Sequence, residues 1–265
     1  MRPLALLCLC IVCCSKPAAQ APLRIAAAAD LQGAFTELGK ELERSTGRRV
    51  DISFGSSGLL AKQLEEGAPF DLFAAANASF VDRAVRAGAC DGASKVIYAR
   101  GQIVVWTPKA VAPPRTLADL SEPRFRKIAL ANPEHAPYGM AARQALTRAG
   151  IWSVLTPRLV YGENVQQALQ FARTGNADAA LVALSLALSA PEGTSMPVGL
   201  DQYQALDQAL VVCTRGKATS AAREFAALLA SDRGQEVLRH FGFLLDTQPG
   251  GAKTLPGTPG NEVVR

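Results

Sequence analysis

The sequence predicts an α/β protein of two lobes, each a mostly parallel sheet flanked by helices. Three observations lead there. Short apolar runs alternate with amphipathic helical segments in a βαβαβα order over the first third of the chain, and parallel strands joined by crossover helices follow from that order. A strong strand at residues 103–106 is followed by Pro108, Pro113 and Pro114, after which the same alternation resumes, so the shift marks a passage into a second lobe. The chain has 265 residues, 49% hydrophobic and 19% charged, which describes a soluble globular protein with ample core for two lobes.

In chain order, residues 23–29 form an apolar run suited to a strand buried on both faces. Asp30 reads as a helix N-cap, and Leu31, Phe35, Leu38 and Leu42 mark one face of a helix ending near Gly47. A strand at 50–54 leads into a helix at 58–66. A strand at 69–75 leads into a helix at 78–87. In the second lobe, residues 117–120 suit a short helix, 128–131 and 159–161 are strands, and helices follow at 139–149 and from Val165 onward. Gly175 ends that last helix and 179–183 is the next strand. Residues 209–213 form a strand returning toward the first lobe, and 220–230 and 232–240 are helical. The expected division is therefore 22–105 for the first part of lobe 1, 106–208 for lobe 2 and 209–246 for the return to lobe 1. No sequence repeat is evident.

The two ends differ in character from the rest. Residues 1–21 read as an export signal, with Arg2 at the start, an apolar run from Leu4 to Cys14, and Ala19-Gln20-Ala21 resembling a cleavage site. Eleven apolar residues are too short for a bilayer span. The adjacent Cys13 and Cys14 raise a lipid anchor, but Ile11 and Val12 match the usual small residues poorly. Residues 247–265 are rich in Gly, Pro and Thr and read as a disordered tail. Four of the six cysteines lie in the leader, leaving Cys90 and Cys213, for which two buried thiols are expected rather than a bridge. The net charge of +5 is dispersed and aromatics are only 6%, so nothing marks a nucleic-acid partner.

Four segments share one arrangement, an apolar strand, a turn of small or polar residues and a helix start. They are Ala28-Ala29-Asp30, Gly55-Ser56-Ser57, Pro137-Tyr138-Gly139 and Glu163-Asn164-Val165, two per lobe. Ligands of open parallel sheets lie beyond the carboxyl ends of the strands, where such turns converge. Unpaired N–H groups in the first turn of each helix make a cradle for an anion. Each charge-assisted bond there contributes about 1.5–3 kcal/mol. Ordinary N-caps on ordinary α/β turns are the competing reading.

The ordered set of Ala26-Ala27-Ala28-Ala29-Asp30-Leu31, Gly55-Ser56-Ser57-Gly58, Gly67-Ala68-Pro69-Phe70-Asp71-Leu72-Phe73, Asn132 through Gly139 and Glu163-Asn164-Val165 resembles the periplasmic molybdate-binding proteins of ABC importers. The resemblance runs from about 23 to 245 and implies the type II periplasmic-binding fold, with the ligand cleft between lobes. It implies an oxyanion held by hydroxyls and backbone amides without cationic side chains. By position, Ser57 supplies a hydroxyl and an N–H, Val165 an N–H, and Tyr138 the phenol that another branch draws from a strand where this chain has Ala183. Ala29 and Asp30 stand where many relatives have serine. The Asp30 carboxylate would repel a dianion, so it is expected to turn back and cap its own helix, leaving the Ala29 and Asp30 N–H groups for the ligand.

The expected function is thus a non-enzymatic, periplasmic receptor that captures molybdate and tungstate and hands them to a membrane permease with its ATPase. It is expected to be monomeric, without cofactor or metal-cation ligands. A receptor for another oxyanion or a small carboxylate is one alternative, and an enzyme acting on an anionic metabolite is the other. His135 and His240 lack metal-ligand partners by spacing, and no hydrolase elbow, P-loop, dinucleotide fingerprint or CxxC is present.

Overall fold

The computed structural model describes residues 20–245, so the leader through Gln20 and the tail fall almost wholly outside the described residues. Among the described residues, no helix is long and apolar enough to cross a membrane.

The first sheet contains β1 (Leu23–Ala28), β2 (Val50–Gly55), β3 (Leu72–Ala75), β4 (Val96–Gly101) and β10 (Leu206–Val212), in the order β2-β1-β3-β10-β4. The second contains β5 (Ile103–Pro108), β6 (Ile128–Ala131), β7 (Leu159–Gly162), β8 (Ala179–Ala183) and β9 (Gly193–Pro197), in the order β7-β6-β8-β5-β9. The two orders are the same pattern. In each sheet three parallel neighbours are followed by one strand antiparallel to both of its partners, β10 in the first and β5 in the second. Those two strands are the ones that enter from the other sheet. An architectural repeat is therefore present without a sequence repeat.

The chain changes sheet at Gln102, between β4 and β5, and returns between β9 and β10. All of β5 belongs to the second sheet, and the return strand begins at Leu206. The sequence reading had put residues 103–105 in lobe 1 and 206–208 in lobe 2. The composition shift at the prolines lies after the true passage because β5 is as apolar as the strands before it. The two passages touch, since the Ile103 N–H donates to the Tyr203 hydroxyl at 3.2 Å.

Strands β3, β6 and β8 are apolar and buried along their length, and β1 is so except at the exposed Arg24, because helices cover both faces. The helices are α1 (Gln32–Thr46), α2 (Ser57–Glu65), α3 (Ala78–Arg86), α4 (Pro137–Arg148), α5 (Trp152–Leu155), α6 (Val165–Arg173), α7 (Leu184–Leu188), α8 (Thr219–Ala230) and α9 (Asp232–His240). Helix α1 stops at Gly47, whose φ of 68° is the left-handed cap that glycine takes without strain. Phe35 of α1 meets Phe225 of α8 edge to face, with centroids 5.1 Å apart, tying the return segment to the first lobe.

Cys90 and Cys213 form a disulfide, against the expectation of two thiols. Their backbones pair as an isolated antiparallel bridge beyond the end of β10, which brings the Cα atoms to 3.8 Å. Residues 123 apart carry no sequence signal of that pairing. The bond brackets the whole second lobe and closes it as an insert in the first. For a loop of this length the chain-entropy effect on the unfolded state is about 5 kcal/mol, of which such bonds typically deliver about 2–4 kcal/mol. Val212 pairs with Leu72, at the start of β3, so the bond lies at the end of the sheet opposite the strand carboxyl ends. Reduction, or replacement of both cysteines by alanine, should lower unfolding free energy by about 2–4 kcal/mol in denaturant titrations while leaving ligand affinity within twofold. Equal stability of the reduced and oxidised forms would contradict this account.

Candidate functional site

The carboxyl ends of the parallel strands in both sheets face one another, and a small cavity lies between them. It is lined by Ala28, Ala29, Asp30, Gly55, Ser56, Ser57 and Ala76 from the first lobe and Ala136, Pro137, Tyr138, Asn164 and Val165 from the second. All four turns singled out in the sequence contribute, and Ala29, Asp30, Ser57, Tyr138 and Val165 all lie on this one surface. Among the described residues, no Lys, Arg or His lines it.

Each turn has a local reason for its form. Ser56 and Ser57 follow β2 directly, with Ser57 opening α2, and Ser57 is fully buried. Its Oγ accepts the Ala76 N–H at 3.1 Å, which leaves the hydroxyl hydrogen to donate elsewhere. Asn164 caps α6 by accepting the Gln166 and Gln167 N–H groups, both at 3.0 Å, and the Val165 N–H at the head of the helix stays outside that cap. Helix α4 begins with Pro137, which lacks an N–H and suits the first helical position, so Tyr138 carries the first available amide.

Asp30 departs from expectation. It lies inside a one-turn 3-10 helix, Ala29–Leu31, that precedes α1, and no side chain caps that turn or α1. The carboxylate therefore has no cap position to occupy. It reaches across the lobes instead. Its Oδ2 accepts the Tyr138 hydroxyl at 3.0 Å and the Gln208 amide at 2.8 Å. Its backbone carbonyl accepts the Ser185 hydroxyl at 2.7 Å. Asp30 is 1% exposed, and burial pushes its carboxyl up to about 7, with the Tyr138 and Gln208 bonds pulling the other way only in part. Burial, reinforced by the nearby Asp30, also raises the Tyr138 phenol well above its ordinary value, so Tyr138 stays a hydroxyl donor.

Ser56 and His135 hold the mouth of the cleft. The Ser56 Oγ donates to the His135 carbonyl at 2.7 Å and lies 2.8 Å from His135 Nδ1, while the Gly58 N–H donates to the same carbonyl at 3.0 Å. A Cβ at position 58 would come within 2.5 Å of that carbonyl oxygen, so only glycine lets the two lobes approach this closely. His135 serves a structural contact between lobes.

Sequence reasoning missed Gln208, Ser185, Ser56 and Ala76. Gln208 did leave a trace, being the fully buried polar residue in the otherwise apolar centre of β10. The Ser185 and Ala76 contacts depend on the packing of elements distant in sequence and left none.

A family model described as bacterial extracellular solute-binding protein matches residues 23–244. Molybdate-binding protein ModA of Azotobacter vinelandii is 32% identical over 238 residues, covering 88% of this chain and 93% of its own. A putative ABC transporter substrate-binding lipoprotein, YvgL of Bacillus subtilis, is 31% identical over 224 residues, covering 83% of this chain and 85% of its own. The solved structure of the periplasmic molybdate-binding protein of Azotobacter vinelandii superposes with a TM-score of 0.78 at 28% identity, covering 84% of this chain and 99% of that one. Fold and sequence agree over nearly all of the described residues: the chain belongs to the bacterial extracellular solute-binding proteins and is a relative of the molybdate-binding proteins ModA.

Proposed function

We propose that this protein is an extracytoplasmic receptor that captures molybdate between its lobes and delivers it to an ABC permease with its ATPase. The carrying observation is a cavity built from the helix-opening turns of both lobes and free of cationic side chains. A tetrahedral dianion needs several donors converging from opposite sides, and neutral N–H and O–H groups supply them without a fixed counter-charge. The Ala29, Asp30, Ser57 and Val165 N–H groups, the Ser57 hydroxyl and the Tyr138 hydroxyl form the proposed donor set. With no cation to hold any anion indiscriminately, selection rests on cavity size and donor positions. Tungstate, of the same shape and charge, belongs to the same ligand class, whereas sulfate has shorter bonds and would leave some donors stretched. The relatives named for molybdate and for ABC transport support this reading. An exported monomer working without cofactor is the simplest form consistent with it.

One observation favours an enzyme, the approach of the Ser56 hydroxyl to His135 Nδ1. The single hydroxyl hydrogen of Ser56 goes to the His135 carbonyl, however, so Nδ1 must be the donor to Ser56 and cannot act as its base. The pair is a clasp between lobes, and a receptor remains the better reading.

Calorimetry with molybdate, tungstate, sulfate and phosphate should give micromolar or tighter dissociation constants for the first two and at least tenfold weaker binding for the others. Failure of molybdate to bind would overturn the assignment. Tyr138→Phe should weaken molybdate binding about tenfold to a hundredfold, the equivalent of one charge-assisted hydrogen bond; unchanged affinity would remove the phenol from the donor set. Gly58→Val should hold the lobes apart at His135, seen as weaker molybdate binding and a larger radius of gyration in ligand-saturated solution scattering.

A further inference from the structure

Asp30 poses a problem that the receptor reading does not solve. A carboxylate lines a cavity meant for a dianion, with no cation beside it. Two acceptors around it are buried and have no protein partner, Oδ1 of Asp30 and Oε1 of Gln208. They belong to a pair of side chains already joined through Gln208 Nε2 and Asp30 Oδ2. A buried acceptor without a donor is unfavourable, and a second negative charge next to it makes the carboxylate form worse. One hydrogen on the Oδ1 edge relieves both defects. It gives Asp30 a donor, and Gln208 Oε1 is an acceptor that lacks one, so acid and amide can satisfy each other.

The groups facing Asp30 come from four elements. They are Tyr138 of α4, Gln208 of β10, Tyr98 of β4, whose buried hydroxyl also lacks a protein partner, and Ser185 of α7. None is cationic. Helices α1 and α6 and strand β2 also pack against this turn. Of their charged residues, Glu37 and Glu41 pair with Arg233, Arg173 with Glu192, and Asp51 with Arg49, while Glu43 accepts the Val50 N–H, Arg44 donates to the Lys40 carbonyl, and the Lys40 side chain is exposed.

We propose that Asp30 carries a proton whenever an oxyanion dianion occupies the cleft, so that capture of the dianion is coupled to uptake of one proton from the solvent. The inference rests on the oxyanion-receptor reading and adds its proton stoichiometry and the pH dependence that follows. The proton leaves a buffer acid and forms an O–H bond on the carboxylate, which becomes a neutral acid. The Tyr138 hydroxyl, no longer needed to stabilise a carboxylate charge, is then free to donate to the oxyanion. Asp30 thereby makes capture depend on pH. It lets a neutral-lined cleft hold a doubly charged ligand near neutral pH and release it as the medium turns alkaline. Burial pushes the Asp30 carboxyl up to about 7, which places the switch in an accessible range.

The test uses the exported protein and molybdate, at pH values where molybdate itself is fully ionised. At about pH 8, binding heats measured in buffers of different ionisation enthalpy should vary with a slope close to one proton taken up per molybdate, and at about pH 6 the slope should fall near zero. The dissociation constant should be flat below about pH 7 and rise about fiftyfold between pH 7 and 9. Asp30→Asn, whose amide supplies a hydrogen where the acid does, should bind molybdate with no buffer dependence and a flat pH profile. Tight binding by the wild type with buffer-independent heats at pH 8 would overturn the proposal and leave the receptor reading standing. Molybdate binding at no pH would overturn both. A folded Asp30→Asn protein that keeps the wild-type proton uptake would place the proton elsewhere and refute the role of Asp30. Should that variant not fold, the wild-type buffer series decides alone.

Discussion

The constraint on which this molecule depends is that the first N–H groups of a helix have no partner within it. Buried, they demand an acceptor, and four such helix starts, two from each lobe, meet at one cavity. The identical strand orders of the two sheets follow from this demand. Parallel strands put every helix start at the same sheet edge, and repeating the pattern in a second lobe allows two such edges to face each other. The single antiparallel strand in each sheet is the connection that makes the facing arrangement continuous. Because β5 and β10 each begin in the passage from the other sheet, a small rotation about Gln102 and the segment before Leu206 changes the gap between the edges while leaving both cores intact.

How much of this could be read from residues alone varied with the physics of each element. The central strands were legible because burial on both faces demands an uninterrupted apolar run, as in residues 128–131 and 179–183. Strands β4 and β9 were not, and edge position alone does not explain it, since the edge strands β2 and β7 were legible. Val96-Ile97-Tyr98-Ala99-Arg100-Gly101 mixes exposed and buried positions, and Gly193-Thr194-Ser195-Met196-Pro197 has almost no apolar signal. Edge strands are held by one neighbour's hydrogen bonds more than by side-chain burial. The five proposed ligand residues were reachable from strand–turn–helix grammar and family likeness, because backbone donors depend on local conformation. The contacts between lobes were not reachable. That Ser56 meets His135, or that Asp30 meets Tyr138 and Gln208, depends on how two separately folded units face each other.

Asp30 was misread for an instructive reason. A carboxylate just after a strand and just before a helix has N-capping as its commonest use, and electrostatic repulsion from a dianion points the same way. The one-turn 3-10 segment moves the N-cap position of α1 one residue on, from Asp30 to Leu31, so the cap geometry is lost. What remains is an acid in the cleft wall whose charge is tolerable only with donors around it. Tyr138 and Gln208 supply two of those, one from each lobe. The same bond that stabilises the carboxylate therefore helps to hold the two lobes together. Ligand binding must redirect it, which makes the Asp30–Tyr138 contact a competitor of the oxyanion as well as a part of its site.

Burying an acid in this way has a consequence for the fold itself. The Asp30 carboxyl has its ordinary value of 3.8 in the unfolded chain and about 7 in the folded one, so between those values the folded state holds more of the proton. Stability from this group is then fully present below about pH 4 and is lost as pH rises through 7, at about 1.4 kcal/mol for each pH unit crossed. The sign is opposite to that of an acid stabilised by a salt bridge. A protein under selection for stability alone would place an amide or an apolar residue there. The acid makes sense where the energy of its protonation is used, and the ligand that uses it is a second negative charge entering the same cavity. The destabilising burial of Asp30 and the capture of a dianion without a cation are on this view two aspects of a single electrostatic arrangement.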